Sequence, residues 1–200
     1  MVRVIEYGPR ALLIEAEDPL GVFRALGALR LDGVVDVVPA ASTVLVTFAD
    51  SGARDRARPA VAAASPASTT VASSEVVTIP VTYDGDDLDD VSRLSGLSVE
   101  EVVARHTRVV YDVGFVGFAP GFAYLSGLDP VLHLPRLDSP RTAVPTGAVA
   151  IAGPYAAVYP TPSPGGWRLM GRTTVTVFDG RRYPPALLRP GMRVRFEVAS

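Results

Sequence analysis

The chain has 200 residues, 48% of them hydrophobic, with 19 basic and 21 acidic groups and a formal charge of −2; this is enough apolar material for one large core or two small ones, and the near-neutral balance lacks the basic excess of a nucleic-acid footprint. All basic side chains are arginine, and cysteine, lysine, asparagine and glutamine are absent, which excludes disulfides, thiolate catalysis, cysteine-ligated zinc and a lysine nucleophile. The two histidines, His106 and His133, lie far apart without an obvious carboxylate partner, so no metal site is expected; no apolar run reaches membrane length, no basic-then-apolar leader is visible, and a soluble cytoplasmic protein is the expectation.

Residues 2–6 and 11–15 read as strands around a Gly8-Pro9 turn. Asp18-Pro19 is a helix start, with the carboxylate as N-cap and proline at the first helical position; Val22, Phe23, Leu26 and Leu29 then recur at helical spacing. Residues 34–38 and 43–48 are β-branched runs that form a hairpin, and 52–63 is a weaker helix rich in arginine and alanine. The order β-β-α-β-β-α predicts a small α+β sandwich domain over 1–64, with helices on one face of an antiparallel sheet. The small, polar stretch 65–74 is the expected linker, and a second domain occupies 75–200.

That second part opens with a strand at 75–81. The acidic run 84–90 lacks the glycine and distal glutamate of an EF-hand and reads as a solvated loop at a helix N-terminus, where the dipole favours carboxylates. Ser98 and Glu101 form a capping box, with Leu97 stapling against Val102. Val99, Val102, Val103 and His106 share one helix face. His106 is a candidate proton carrier, since its ordinary pKa lies nearest neutrality; the bland alternative is a half-buried histidine welcomed by the negative end of the helix. Short β-branched runs at 108–115, 148–152, 173–178 and 192–198 between glycine and proline turns indicate a sandwich or barrel.

Two loops stand out. Residues 117–124 pack Gly117, Phe118, Pro120, Gly121, Phe122 and Tyr124 into one short stretch. Glycine and proline shape a turn and the aromatics give it stiff apolar surface, as suits a pocket wall or a partner grip. Ser163-Pro164-Gly165-Gly166-Trp167 carries the only tryptophan. Its glycines resemble a phosphate-cradling nest but lack the Gly-Lys-Ser/Thr ending of a P-loop, so a turn that tucks Trp167 against the barrel is preferred. Between them lies Arg141, whose guanidinium suits a carboxylate or phosphate. Ser163 has no activating base, and Asp112 and Asp138 have no evident partner, so a Ser-His-Asp hydrolase is not expected.

His106, residues 117–125, residues 140–149, Tyr159-Pro160, residues 164–167 and Gly171-Arg172-Thr173 follow one another in an order and spacing that resemble the family containing the B subunits of 5-oxoprolinase, the kinase-inhibitor protein of sporulating bacteria and allophanate hydrolase subunit 1 proteins. The resemblance covers about residues 98–196; the N-terminal third matches only in layout. It implies a cyclophilin-like β domain behind the α+β sandwich. It also implies a subunit of a heteromeric ATP-dependent amidohydrolase, with a second subunit completing a carboxyltransferase-like site and a third subunit left open. The alternatives are a part in urea breakdown and a non-catalytic inhibitor that docks a sensor histidine kinase. Carried onto this sequence, the catalytic candidates are His106 and Arg141. The substrate-binding candidates are Phe118, Pro120, Gly121, Phe122, Tyr124, Pro145, Gly147, Tyr159, Pro164, Gly165, Gly166, Trp167 and Arg172. ATP would act in the complex, with a small amide as substrate and no nucleic-acid or membrane partner. One departure is visible: many relatives read GPQTG where this chain has Gly153-Pro154-Tyr155-Ala156-Ala157, so a glutamine amide is missing and substrate identity, more than fold, is affected. The expected site is one concavity shared by Phe118, Arg141 and Trp167.

Overall fold

The computed structural model describes residues 2–64 and 76–199. The chain divides into two compact units, Met1–Ser73 and Ser74–Ser200. The linker expected at 65–74 lies outside the described residues.

The first unit runs β1 (Arg3–Glu6), β2 (Ala11–Glu15), α1 (Pro19–Leu29), β3 (Val34–Pro39), β4 (Thr43–Phe48) and α2 (Ser51–Ala63). Its strands form one antiparallel sheet in the order β1-β2-β4-β3. Alternation along β2 and β4 turns Leu12, Ile14, Val44, Val46 and Phe48 to one face, where Val22 and Leu26 of α1 and Ala53, Ala57 and Val61 of α2 cover them. Both helices start on an aspartate cap: Asp18 accepts from the Gly21 N–H and Asp50 from the Ala53 N–H, each at 2.8 Å, satisfying an amide that the first turn leaves open.

The second unit contains β5 (Val76–Val81), α3 (Leu88–Ser95), α4 (Val99–Thr107), β6 (Val110–Val116), β7 (Ala123–Ser126), β8 (Arg141–Val144), β9 (Ala148–Ala152), β10 (Tyr155–Val158), β11 (Ser163–Gly165), β12 (Arg168–Arg172) and β13 (Arg193–Val198). Seven strands form a sheet ordered β12-β9-β10-β7-β6-β13-β5, and β8 pairs with β11 in a separate ribbon. The sheet curls into a nearly closed barrel. Just beyond β5, Thr82 meets Arg172 at the other edge, and the two residues exchange both backbone hydrogen bonds at 2.9 Å. Gly171 permits this closure, since a Cβ there would overlap the Thr82 carbonyl. Joining the outer strands removes most of the open edge that a seven-stranded sheet would otherwise expose.

The capping box at α4 forms as the sequence indicates: the Glu101 N–H donates to Ser98 Oγ and the Ser98 N–H to the Glu101 carboxylate. The strand expected at 173–178 does not. Val175 and Val177 pack on the barrel core, but β12 has already closed against Thr82 and no neighbouring strand remains; Phe178 makes only an isolated bridge with Ala186.

His106 lies deeper than a helix-end histidine. It is fully buried, stacked on Phe196 with centroids 4.6 Å apart, with Nδ1 2.7 Å from the Tyr83 hydroxyl. Its Nε2 has no hydrogen-bond partner among the described residues, and its carbonyl accepts from the Tyr111 hydroxyl at 2.9 Å. An apolar surround penalises the imidazolium, and burial pushes the His106 pKa down to about 3; the same burial raises the Tyr83 and Tyr111 phenols. His106 is therefore a neutral core ring. Between the unperturbed value of 6.5 and about 3, the unfolded chain holds a proton that the folded chain does not. The contribution of His106 to stability is thus complete above pH 6.5 and is lost as the pH falls, at up to about 1.4 kcal/mol per pH unit. His106→Phe is expected to flatten the acid-side decline of the urea midpoint of this unit; an unchanged slope would contradict this account.

Candidate active site

Strand β9 is buried on both faces. Val149 and Ile151 point into the barrel core, while Ala148, Ala150 and Ala152 point outward beside Ala157 of β10. Methyl side chains leave room above them, and a layer of rings fills it. Phe122 meets Tyr159 edge-on at 5.2 Å and Trp167 edge-on at 5.5 Å, the arrangement that aromatic quadrupoles favour.

The two loops singled out in the sequence deliver these rings. In the first, the Gly117 N–H donates to the Phe122 carbonyl at 3.1 Å and the Phe122 N–H to the Ala119 carbonyl at 2.9 Å, closing a compact turn. Phe118 holds a left-handed backbone with φ 68°, is 64% exposed, and leans edge-on against Phe122. A bulky side chain in that region is costly and marks a constrained position. In the second, β11 pairs with β8, with Gly165 opposite Arg141. A Cβ on Gly165 would overlap the Tyr159 hydroxyl. The Gly166 carbonyl accepts from the Leu137 N–H at 2.8 Å, and Trp167 tucks inward, nearly buried. The glycine pair accommodates rings.

Between the loops is a cavity of about 200 Å³ lined by Phe118, Phe122, Tyr124, Arg136, Pro140, Tyr159, Pro164, Gly165, Gly166 and Trp167. Of these ten residues only Arg136 is charged. Its guanidinium stands 5.9 Å from the centre of the Trp167 ring. Burial raises the Tyr159 phenol, opposed by a hydrogen bond from the Trp167 backbone and by the positive charges of Arg136 and Arg141, so the hydroxyl is a neutral donor and acceptor at the cavity wall.

Eight of the residues expected at the site converge here: Phe118, Phe122, Tyr124, Tyr159, Pro164, Gly165, Gly166 and Trp167. The others lie elsewhere. Pro145 and Arg172 line a separate cavity of about 150 Å³, where Arg172 pairs with Asp84 at 2.9 Å. Pro120 is exposed on its loop, and Gly121 backs onto Phe178. Gly147 is a structural junction whose N–H donates to the Tyr159 carbonyl and whose carbonyl accepts from the Thr173 N–H, each at 2.8 Å. His106 belongs to the barrel core. Arg141 is absent from the lining because it is engaged from behind: its Nη2 donates to Asp87 Oδ1 at 2.7 Å, and Asp87 Oδ2 accepts from the Leu169 N–H at 2.7 Å. Asp87 is 5% exposed, so the acidic run is not wholly solvated; one of its carboxylates has turned inward.

The cation at the cavity, Arg136, has no counterpart among the expected site residues. Its only sequence signal is the Pro135-Arg136 dipeptide, identical to Pro140-Arg141. Tyr155, within the segment that departs from GPQTG, packs edge-on against Phe115 and Tyr124, extending the ring cluster behind the cavity. Among the described residues no group of three or more histidine, aspartate or glutamate side chains is placed to hold a metal ion, and no helix is long and apolar enough to cross a membrane.

The family of carboxyltransferase domains, subdomain C and D, matches residues 3–188, and the chain belongs to it. It is 49% identical over 126 residues to the B subunit of 5-oxoprolinase from Escherichia coli O157:H7, a match covering 62% of this chain and 58% of that protein. It is 45% identical over 124 residues to the B subunit of 5-oxoprolinase from Bacillus subtilis strain 168, covering 60% and 52%. The match thus spans little more than half the length of these relatives. Among solved structures, TTHA0988 aligns with a TM-score of 0.79 at 38% identity over all of this chain and 41% of that one. The Kluyveromyces lactis urea amidolyase aligns with a TM-score of 0.68 at 18% identity over 100% of this chain and 15% of that one, a likeness of fold. These relatives lend the kinase-inhibitor alternative no support.

The Asp87–Arg141 pair is a local linchpin, and its test is direct. Removing one member of a buried pair strands the other charge. Asp87→Ala is expected to lower stability by about 3 kcal/mol and to shift the emission of Trp167, both read from urea unfolding followed by tryptophan fluorescence; a variant as stable as the parent would show that the pair is dispensable.

Proposed function

We propose that the chain is one subunit of a heteromeric ATP-dependent amidohydrolase that opens 5-oxoproline to glutamate, and that the cavity between Phe118 and Trp167 is its contribution to a site completed by a partner subunit. The observation that carries this reading is the convergence of two glycine- and proline-shaped turns on one ring-lined hollow in a chain whose curated relatives are B subunits of 5-oxoprolinase. A cavity of about 200 Å³ fits a small flat ring, below the roughly 300 Å³ at which sites for drug-sized ligands begin. The bulkier nucleotide is assigned to the partner, in keeping with a glycine pair turned toward Tyr159 and Leu137.

The chain binds and shields; among the described residues no nucleophile or base is evident at the cavity. His106 is buried and neutral, and the Ser163 hydroxyl is turned to the Thr161 carbonyl. A lactam carbonyl is a weak electrophile. Phosphoryl transfer from ATP to the carbonyl oxygen activates the carbon; water adds, the C–N bond breaks to give an open-chain acyl phosphate, and a second water releases phosphate and glutamate. Rings that exclude bulk water protect such an intermediate.

The test is co-purification with the product of a neighbouring gene, followed by measurement of ATP-dependent 5-oxoproline turnover. Phe118→Ala and Trp167→Ala are expected to lower kcat/KM about tenfold or more through lost ring contact. A stable complex that leaves 5-oxoproline intact in the presence of ATP, or turns over allophanate instead, would refute the assignment.

A further inference from the structure

We infer that Arg136 is the specificity-determining residue of the cavity: its guanidinium receives the single carboxylate of a small cyclic amide whose ring lies between Phe118 and Trp167. The inference deepens the proposed function and rests on that cavity being the substrate site.

Arg136 is the one charged side chain that lines the cavity. The other arginines nearby have carboxylate partners: Arg141 pairs with Asp87 through Nη2, its Nη1 being buried without a hydrogen-bond partner among the described residues, Arg172 pairs with Asp84 at 2.9 Å, and Arg168 donates to the Pro135 carbonyl with Asp90 at 3.8 Å. Arg136 is exposed and has no described carboxylate in pairing range; its guanidinium stands over the Trp167 ring, and its charge acts on the Tyr159 phenol across the cavity. An unpaired guanidinium at the wall of an otherwise uncharged cavity is matched by one anionic group.

The segment that carries it is fixed in place. The Leu134 carbonyl accepts from the Gly153 N–H at 2.8 Å, the Pro135 carbonyl accepts from Arg168 Nε at 3.1 Å, and the Leu137 N–H donates to the Gly166 carbonyl at 2.8 Å. Proline at 135 also fixes its own φ. The backbone on both sides of Arg136 is thus anchored to β12, to the β9–β10 turn and to the tryptophan loop. Such anchoring reduces the ordering cost of binding. Contact with an aromatic face shields one side of a guanidinium while leaving its N–H edge for an in-plane carboxylate, and charge-assisted hydrogen bonds of this kind are the strong ones.

The geometry therefore selects a flat, uncharged ring bearing one carboxylate. The same ring without the carboxylate forgoes that charge-assisted pair and leaves the exposed guanidinium to water.

The sole tryptophan lines the cavity, so its fluorescence reports occupancy directly. The full chain is titrated with 5-oxoproline and with 2-pyrrolidinone, the same lactam lacking the carboxylate. The parent protein is expected to bind 5-oxoproline at least about tenfold more tightly. Arg136→Gln is expected to erase that preference while leaving 2-pyrrolidinone binding intact, which also shows that the variant is folded. A preference retained in Arg136→Gln overturns the inference and leaves the cavity assignment standing. If neither lactam perturbs Trp167 in the parent protein, either alone or in the co-purified complex with its partner subunit, both the inference and the cavity assignment fall. Should Arg136→Gln lose both ligands, Arg136→Lys decides: recovery of the carboxylate preference supports the role, and its absence overturns it.

Discussion

The buried carboxylate of Asp87 organises the face that carries the ring-lined cavity. One oxygen takes the Leu169 amide at the start of β12 and the other takes the Arg141 guanidinium on β8. Through β8 this reaches β11, where Gly165 stands opposite Arg141, and from there it sets the position of the turn that presents Trp167. A carboxylate at this depth is tolerable only while both contacts are made, so the loop before α3, the edge of the barrel and the ribbon that carries the tryptophan form one cooperative arrangement. The same engagement explains why Arg141, an attractive ligand anchor by residue type, does not line the cavity.

The barrel separates two tasks by the two-residue period of its strands. Inward positions of β9, β10 and β12 join the apolar core that contains Tyr111 and Phe196, and His106 stacks on Phe196. The outward positions of β9, Ala148, Ala150 and Ala152, together with Ala157 of β10, are alanines in the same cluster as the rings. Closure at Thr82 and Arg172 holds the curvature on which those rings rest. The ring-lined cavity needs no special element of its own; it lies on the outer face of the barrel wall, roofed by two short loops.

What can be read from the sequence is what local chemistry determines. The alternation of strands and helices in the first unit, the Asp18 cap, the Ser98–Glu101 box and the ring-rich turns all depend on residues within a few positions of one another. Strands β7, β8, β10, β11 and β12 are three to five residues long, too short to show a clear alternation, so their identity comes from partners distant in sequence. The run at 173–178 carries a strand-like pattern and lacks only a neighbour. His106 sits on the apolar face of its helix, as its spacing indicates, but its depth depends on Phe196, which arrives from the other end of the unit. Arg136 and Arg141 share the same preceding proline; only Asp87, buried 54 residues before Arg141, tells them apart.

The pairing of β5 with β13 has a consequence for biosynthesis. These strands run parallel, Val76 beside Arg193 through Val81 beside Val198, and they are the first and last strands of their unit. A ribosome releases β5 well before β13 exists, so an apolar strand must wait, one edge unmatched, while more than a hundred further residues are made. Long-range parallel pairing is slow to form and leaves sticky surface open in the interim. The nascent chain therefore passes through a period of vulnerability to aggregation whose length is set by translation, which makes the speed of elongation, and any chaperone that shields that strand, as relevant to the yield of active protein as the stability of the finished barrel.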